Sequence, residues 1–237
     1  MRSPINRNDR ATMSTQPSAK STSRVLLAGL IGNVMEWYDF ALYGYFATTI
    51  GREFFPSSDP ASSLIGAFGA FAAGFLVRPL GGMVFGRIGD LAGRQRALQL
   101  SVMVMAVPTV LMGLLPTHQQ IGIAAPIAVV LLRIVQGLSV GGEYTSSVIF
   151  LSENAPERQR GFYAIWGLWG SVLGMLIGSG FGDLLAHTLN PDQLGSWGWR
   201  LPFLLGALVA ASGVVIRRGI GAETVSYTHL RAHETRI

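Results

Sequence analysis

The 237 residues include no cysteine. Disulfides, thiolate metal sites and a cysteine nucleophile are therefore excluded. Charge is also scarce. Asp, Glu, Lys and Arg make up 13% of the chain, against about 25% in ordinary soluble domains. Histidine is rarer still. His118 and His187 stand in or near loops, and the other two, His229 and His233, fall in the last segment. A membrane enzyme built on a histidine cluster at a helix end has no material here. The net charge is +5, but the basic residues flank apolar runs instead of gathering into a patch on a polar surface, which argues against nucleic-acid binding. No short apolar region with a small-residue cleavage site follows the start, so a cleaved signal peptide is not expected.

What the chain has in quantity is long apolar runs and glycine: 49% of residues are hydrophobic and 30 are glycine. Residues 1–24 are polar and read as a disordered cytoplasmic tail, with Met1 or Met13 as the true start. Six apolar segments follow, at about 25–47, 61–85, 98–115, 122–151, 162–186 and 200–216, each of membrane-spanning length. Turn residues separate them, as in FFPSSDP, LLPTHQQ, ENAPERQRG and LNPDQLGSWG. Basic residues crowd one side: Arg2, Arg7, Arg10, Lys20 and Arg24, then Arg87, Arg94 and Arg96, then Arg158 and Arg160, then Arg217 and Arg218. The other side has Arg52 and Arg200. This asymmetry places the N-terminus and the even-numbered loops in the cytoplasm and implies an all-α, multi-pass protein of the cell (inner) membrane. Gly170, Gly174, Gly178 and Gly182 recur every fourth residue on the fifth segment, and Gly66, Ala70 and Gly74 do so on the second. Such stripes let helices pack closely, either as static seams or as sliding contacts.

Against this background GNVMEWYDFALYGYF (residues 32–46) is unusual, for it carries Glu36 and Asp39 inside an apolar run. Ionisable residues within a membrane segment are costly and generally line a cavity or a pathway. Asn33, Glu36, Phe40 and Tyr43, with Asp39 at the margin, fall on one arc of roughly 120° at 100° per residue. On the fourth segment Arg133, Gln136 and Glu143 fall within roughly 80° of one another by the same arithmetic. Glu36 and Arg133 each lie about eleven residues inside their segments, close to the midplane at 1.5 Å per residue. They are expected as partners, as joint ligands of a charged solute or as a structural ion pair. Arg78 lies nearer the cytoplasmic face, where it could serve a site or snorkel.

The loop GRIGDLAGRQRAL (residues 86–98) has glycines for a tight turn and an acid, Asp90, placed to pair with Arg94 and Arg96. It resembles the loop between the second and third helices of the major facilitator superfamily. Gly86, Asp90, Gly93, Arg94 and Arg96 match, and Gln95 replaces a commonly basic position. LRIVQGLSVGGEY (residues 132–144) resembles the fourth-helix signature. GNVMEWYDFALYG, RPLGG and WGWRLPF are similar to the metabolite:proton symporter branch, whose members carry dicarboxylates and tricarboxylates, shikimate, or proline and betaine. The resemblance implies the N-terminal six helices of a twelve-helix carrier, working by alternating access and driven by a proton gradient without a further cofactor. It implies a cytoplasmic latch at Asp90, and it ties Arg133 to proton coupling or solute binding.

Burial in a low dielectric disfavours the charged form of a carboxylate, the property a proton carrier needs. Glu36 and Asp39 are accordingly the leading carrier candidates, with Glu36 preferred. Asn33, Tyr43, Arg78, Gln136 and Glu143 complete the candidate site. The expected cargo is a small organic anion or zwitterion. Uniport or drug:proton antiport are the alternatives within the superfamily, and a six-helix scaffold or enzyme the alternatives outside it. The expected domain layout is a tail at 1–24, a six-helix unit at 25–218 and a foreign tail at 219–237. VSYTHLRAHETRI (residues 225–237) resembles one reading frame of a transposase-based sequencing adapter, so the genuine reading is expected to end near Glu223 or Thr224. Such a chain would lack its partner half and be inactive alone.

Overall fold

The computed structural model describes residues 19–218. The chain runs through α1 (Ala19–Tyr45), α2 (Ala47–Phe54), α3 (Pro60–Leu76), α4 (Arg78–Ala92), α5 (Arg94–Leu114), α6 (His118–Ile121), α7 (Ala124–Val140), α8 (Glu143–Glu153), α9 (Arg160–Thr188), α10 (Pro191–Gln193) and α11 (Arg200–Arg218). A 3₁₀ turn at Glu157–Gln159 precedes α9, and a π turn at Leu194–Gly198 precedes α11. Five stretches among the described residues are long and apolar enough to cross a membrane: Val25–Tyr45, Pro60–Ala92, Arg96–Leu114, Ala124–Glu153 and Glu157–Thr188. The sixth expected span is α11, a continuous helix of 19 residues.

The boundaries differ from the sequence reading at four places. The loop expected at 86–98 is helical apart from Gly93, because α4 runs on to Ala92 and α5 starts at Arg94. The first helix starts at Ala19, inside the segment expected to be a tail; residues 1–18 and the 219–237 tail lie outside the described residues. The second span is two helices meeting at Val77. Pro79 explains the break, because it lacks the N–H that would bond one turn back and crowds the backbone before it. The fourth span is likewise divided, at Gly141–Gly142, where two glycines in succession weaken the helix. Hydropathy averages across such breaks and so reads each as one segment.

Local signals set several ends. Asp59 caps α3, accepting from the backbone N–H of Ala61 at 3.2 Å and of Ser62 at 3.0 Å, with Pro60 at the first helical turn. Gly93 ends α4 with φ at 91°, a conformation that L side chains avoid, and α5 leaves directly from it.

The spans pack in three pairs: α1 with α9, α3 and α4 with α7, and α5 with α11. In span numbers these are first–fifth, second–fourth and third–sixth. Exchanging spans one to three for spans four to six maps the first pair onto the second and the third onto itself. The flanking contacts obey the same rule, since α1–α11 corresponds to α7–α5. The bundle is therefore two three-helix units related by a pseudo-twofold axis.

Small residues form the seams. Cβ atoms built on Gly170, Gly174 and Gly178 would crowd the backbone oxygens of Leu30, Val34 and Tyr38. The fifth-span stripe thus rests on the backbone of α1. Gly74 and Gly137 face each other across α3 and α7, and a methyl on Gly137 would overlap the Gly74 carbonyl. At one end of the bundle Trp199, Phe203, Tyr43, Phe54 and Ile50 form the largest apolar core. There Arg200 donates to the Gly113 and Leu115 carbonyls, at 3.0 and 2.7 Å, tying α11 to the end of α5.

Candidate functional site

The polar arc of α1 reaches residues on five other helices, α3, α4, α5, α7 and α8. Asn33 donates to the Ser147 hydroxyl on α8 at 2.8 Å. Glu36 faces α4, with Oε1 3.6 Å from Arg78 Nη2. Asp39 faces α5 and α7. Its Oδ2 accepts from Arg133 Nη1 at 2.5 Å, and its Oδ1 accepts from Thr109 and from Gln136 Nε2, each at 3.0 Å. Gln136 also donates to the Thr109 hydroxyl at 2.9 Å. Tyr43 lies flat beneath Arg133, whose guanidinium carbon is 3.9 Å from the ring centroid, and its hydroxyl donates to the Ala67 carbonyl at 2.7 Å.

The expected Glu36–Arg133 pairing is therefore corrected: Arg133 is paired with Asp39. Equal depth sets which residues stand level, but azimuth chooses the partner. Glu36 and Asp39 are about 60° apart around the helix and about 4.5 Å apart along it, enough to send one toward α4 and the other toward α7. Nor does Asp39 stand at a margin, since it is fully buried at the centre of a four-residue network. Arg78 does not snorkel. Its guanidinium carbon sits 3.6 Å from the Phe75 ring centroid and 4.7 Å from that of Phe40, turned inward by the break at Val77.

Glu143 is buried and accepts from the Ser101 hydroxyl on α5. Its expected phase with Arg133 was counted across the Gly141–Gly142 break and does not carry through it. Ser139 in turn donates to the Ser101 carbonyl. Thr109, Ser101 and Ser147 are site neighbours that the sequence reading missed. Thr109 and Ser101 do share a signal, as uncharged polar residues eight apart in the third span and so about 80° apart on the helix.

Several buried polar atoms here have no hydrogen-bond partner among the described residues: Arg133 Nε and Nη2, Gln136 Oε1, Arg78 Nε, Glu36 Oε2 and Asn33 Oδ1. Orphaned buried groups are costly and rare in native proteins. Of these residues, Arg78, Arg133 and Gln136 line a small cavity with Phe40, Phe71 and Phe75. The arrangement offers two guanidiniums, aromatic walls and two carboxylates, all between membrane-spanning helices.

Near the α4–α5 turn, Gly86 and Asp90 line a separate cleft of about 290 Å³ with Gly82, Gly141, Gly142 and Ser146. Asp90 and Arg96 are exposed. The expected Arg94–Asp90 pairing lies outside the described side chains. Gly93, as noted, makes the turn.

Two inverted triplets of membrane helices closing on a buried charged cluster define the N-terminal half of a major facilitator fold, a transporter and not an enzyme. The chain belongs to the sugar (and other) transporter family, which it matches over residues 25–233. That match runs past the Glu223–Thr224 boundary expected from the tail. The chain is 41% identical over 197 residues to the glycine betaine/proline/ectoine/pipecolic acid transporter OusA of Dickeya dadantii, covering 83% of this chain and 39% of that protein. It is 39% identical over 232 residues to the shikimate transporter of Escherichia coli, covering 94% of this chain and 53% of that protein. The structure of the major facilitator superfamily proton:xylose symporter XylE bound to 6-bromo-6-deoxy-D-glucose superposes with a TM-score of 0.75 at 16% identity, covering 86% of this chain and 45% of that one. The chain thus spans about half or less of the length of these proteins.

Proposed function

We propose that the complete carrier moves a small organic acid or zwitterion together with a proton across the cytoplasmic (inner) membrane, and that this chain supplies the N-terminal half of its cavity, with its N-terminus in the cytoplasm. The observation that carries this reading is the Asp39–Arg133 pair, sealed in a network with Thr109 and Gln136, and a second acid–arginine pair, Glu36–Arg78, whose arginine lines the same cavity as Arg133. A buried ion pair is seldom a net source of stability, whereas two titratable acids beside two fixed cations can exchange protons and an anion. Protonating either carboxylate cancels one charge and loosens one arginine. The relatives named above support the cargo class: glycine betaine, proline, ectoine, pipecolic acid and shikimate all carry a carboxylate.

In this reading Asp39, Arg133 and Gln136 couple charge to the state of the bundle, with Tyr43 as the floor of Arg133. Asn33 and Glu143 tie the first span to the fourth and the fourth to the third. Gly86, Asp90, Gly93, Arg94 and Arg96 form the cytoplasmic latch, closing against the other half. Energy comes from the proton gradient alone. The test is uptake into proteoliposomes holding this chain co-assembled with a complementary six-helix half. Accumulation should follow an inward proton gradient, and uptake indifferent to its collapse rules out proton symport. The chain alone should take up nothing; gradient-driven uptake by it would overturn the half-carrier reading.

A further inference from the structure

We propose that Arg78 is the receptor for the cargo carboxylate, and that Glu36 occupies its place until a proton displaces it. This rests on the transport reading above and assigns the two ion pairs different work.

The two pairs are built differently. Asp39 has both oxygens engaged, by Arg133 at 2.5 Å and by Thr109 and Gln136 at 3.0 Å. Glu36 has one oxygen 3.6 Å from Arg78, beyond hydrogen-bond range, and its other oxygen is buried without a partner among the described residues. The arginines differ in the same sense. Arg133 is 3% exposed and lies over Tyr43. Arg78 is 25% exposed, and its Nε has no partner among the described residues. Phe75 and Phe40 hold the Arg78 guanidinium plane in place without using its N–H groups. A planar fork that is fixed, accessible and incompletely bonded is what bidentate capture of a carboxylate requires. Arg133 also has Nε and Nη2 without a partner among the described residues, but it is held by Asp39 at 2.5 Å, so an incoming carboxylate would have to compete with a close ion pair there and only with the 3.6 Å Glu36 contact at Arg78.

The exchange balances. A proton from water binds Glu36 Oε2, the unpartnered oxygen, and the acid becomes neutral. The Arg78 charge is then unpaired, and the cargo carboxylate takes the position Glu36 held. Glu36⁻ with Arg78⁺ sums to zero, and so does neutral Glu36 with Arg78⁺ and one bound carboxylate. One proton therefore accompanies each carboxylate, and the site carries the same charge empty and loaded. Release runs in reverse: the proton leaves, Glu36 recovers Arg78, and the anion is expelled. The groups that interact electrostatically with Glu36 are Arg78 on α4, Glu143 on α8 and Asp39 on its own helix. Arg78 is the one cation among them, so the exchange is confined to this pair.

The experiment is equilibrium binding of radiolabelled shikimate and glycine betaine, as probes, to the 237-residue chain in lipid nanodiscs over a range of pH. Linkage of one proton to one ligand predicts that shikimate binding tightens about tenfold for each unit the pH falls, until the site is fully protonated. Glu36→Gln should bind at that tightest level at every pH. Arg78→Gln should lose binding, while Arg78→Lys should bind more weakly and keep the pH slope. A slope that persists in Glu36→Gln, wild-type affinity in Arg78→Gln, or no binding of either probe by the wild-type chain each overturns the proposal. The transport reading fails separately. Gradient-driven uptake by the co-assembled carrier that survives Arg78→Gln sinks this exchange and leaves proton symport standing, whereas uptake indifferent to the gradient removes proton symport itself.

Discussion

Removing Arg133 leaves Asp39 with its charge but without its counter-ion, in a position with no measurable exposure. Breaking a buried pair from one side costs about 3–5 kcal/mol, while replacing both partners together is frequently neutral. Asp39 retains two donors, Thr109 and Gln136, which compensate part of the loss. Arg133→Gln should therefore fall near the lower end, about 3 kcal/mol. Asp39→Asn should cost more. A stranded carboxylate can neutralise itself by taking up a proton, but a guanidinium cannot. Arg133 also has two nitrogens already without partners among the described residues. The double variant should cost no more than Arg133→Gln alone, giving a coupling energy of about 3 kcal/mol, at the upper end of the range for residues in one network. Equilibrium unfolding of the purified chain in mixed lipid–detergent micelles, run for all four corners of the cycle, measures this. A double variant destabilised by the sum of the two singles would refute the reasoning, and so would Arg133→Gln proving the costlier change.

Three further outcomes are expected. Gly74→Val should lower the Asp39–Arg133 coupling energy in the same cycle although it touches neither charge, whereas Gly44→Ala, where an added Cβ meets nothing within 4 Å, should leave it unchanged. Arg200→Ala removes two charge-assisted donors from the end of α5 and should destabilise the chain by roughly 1.5–3 kcal/mol, read by the same unfolding assay. Asp59 is held below the usual carboxylate range by its hydrogen bonds from Ser62 and Ala61. Its capping is therefore fully present above roughly pH 4 and is lost as the pH falls through the lower folded value; amide exchange at Ala61 and Ser62 should accelerate there, and Asp59→Asn should remove that acid dependence.

Span positions were legible because a membrane helix needs a long apolar run, and length is read directly from sequence. The charged residues were legible for a related reason: Glu36, Asp39, Arg78, Arg133 and Glu143 stand out because apolar neighbours surround them. Their partners were not legible. Helical phase relates residues on one helix, but pairing depends on how two helices are rotated about their axes, which no single run encodes. Arg78 shows this most clearly, since its direction is set by the break at Val77 and the crossing of α4 over α7. Thr109 was missed because a threonine neither interrupts hydropathy nor titrates. The glycine stripe of the fifth span announced a close contact, but only the packing of α9 shows that it rests on the backbone of α1.

The close seams and the charged cluster depend on each other. A Cβ on Gly74 would lie 2.6 Å from the Arg133 carbonyl, so α3 approaches α7 at the residue that carries the buried cation. That approach brings Phe71 within 5.9 Å of the Arg133 guanidinium and stacks it on Tyr43. It also brings Ala67 to the Tyr43 hydroxyl. Forcing α3 outward would take away the acceptor of Tyr43, then the floor beneath Arg133, and so weaken its hold on Asp39. The dependence also runs the other way. Contacts between glycines and backbone are short but apolar, and they hold two helices together with little directional preference. The directional ties come from the hydrogen bonds of the polar residues, and the one that joins the two seams, from Arg133 on α7 to Asp39 on α1, is charged at both ends. Neutralising Asp39 removes that tie and leaves smooth surfaces, the condition under which one helix can shift against another while both stay packed.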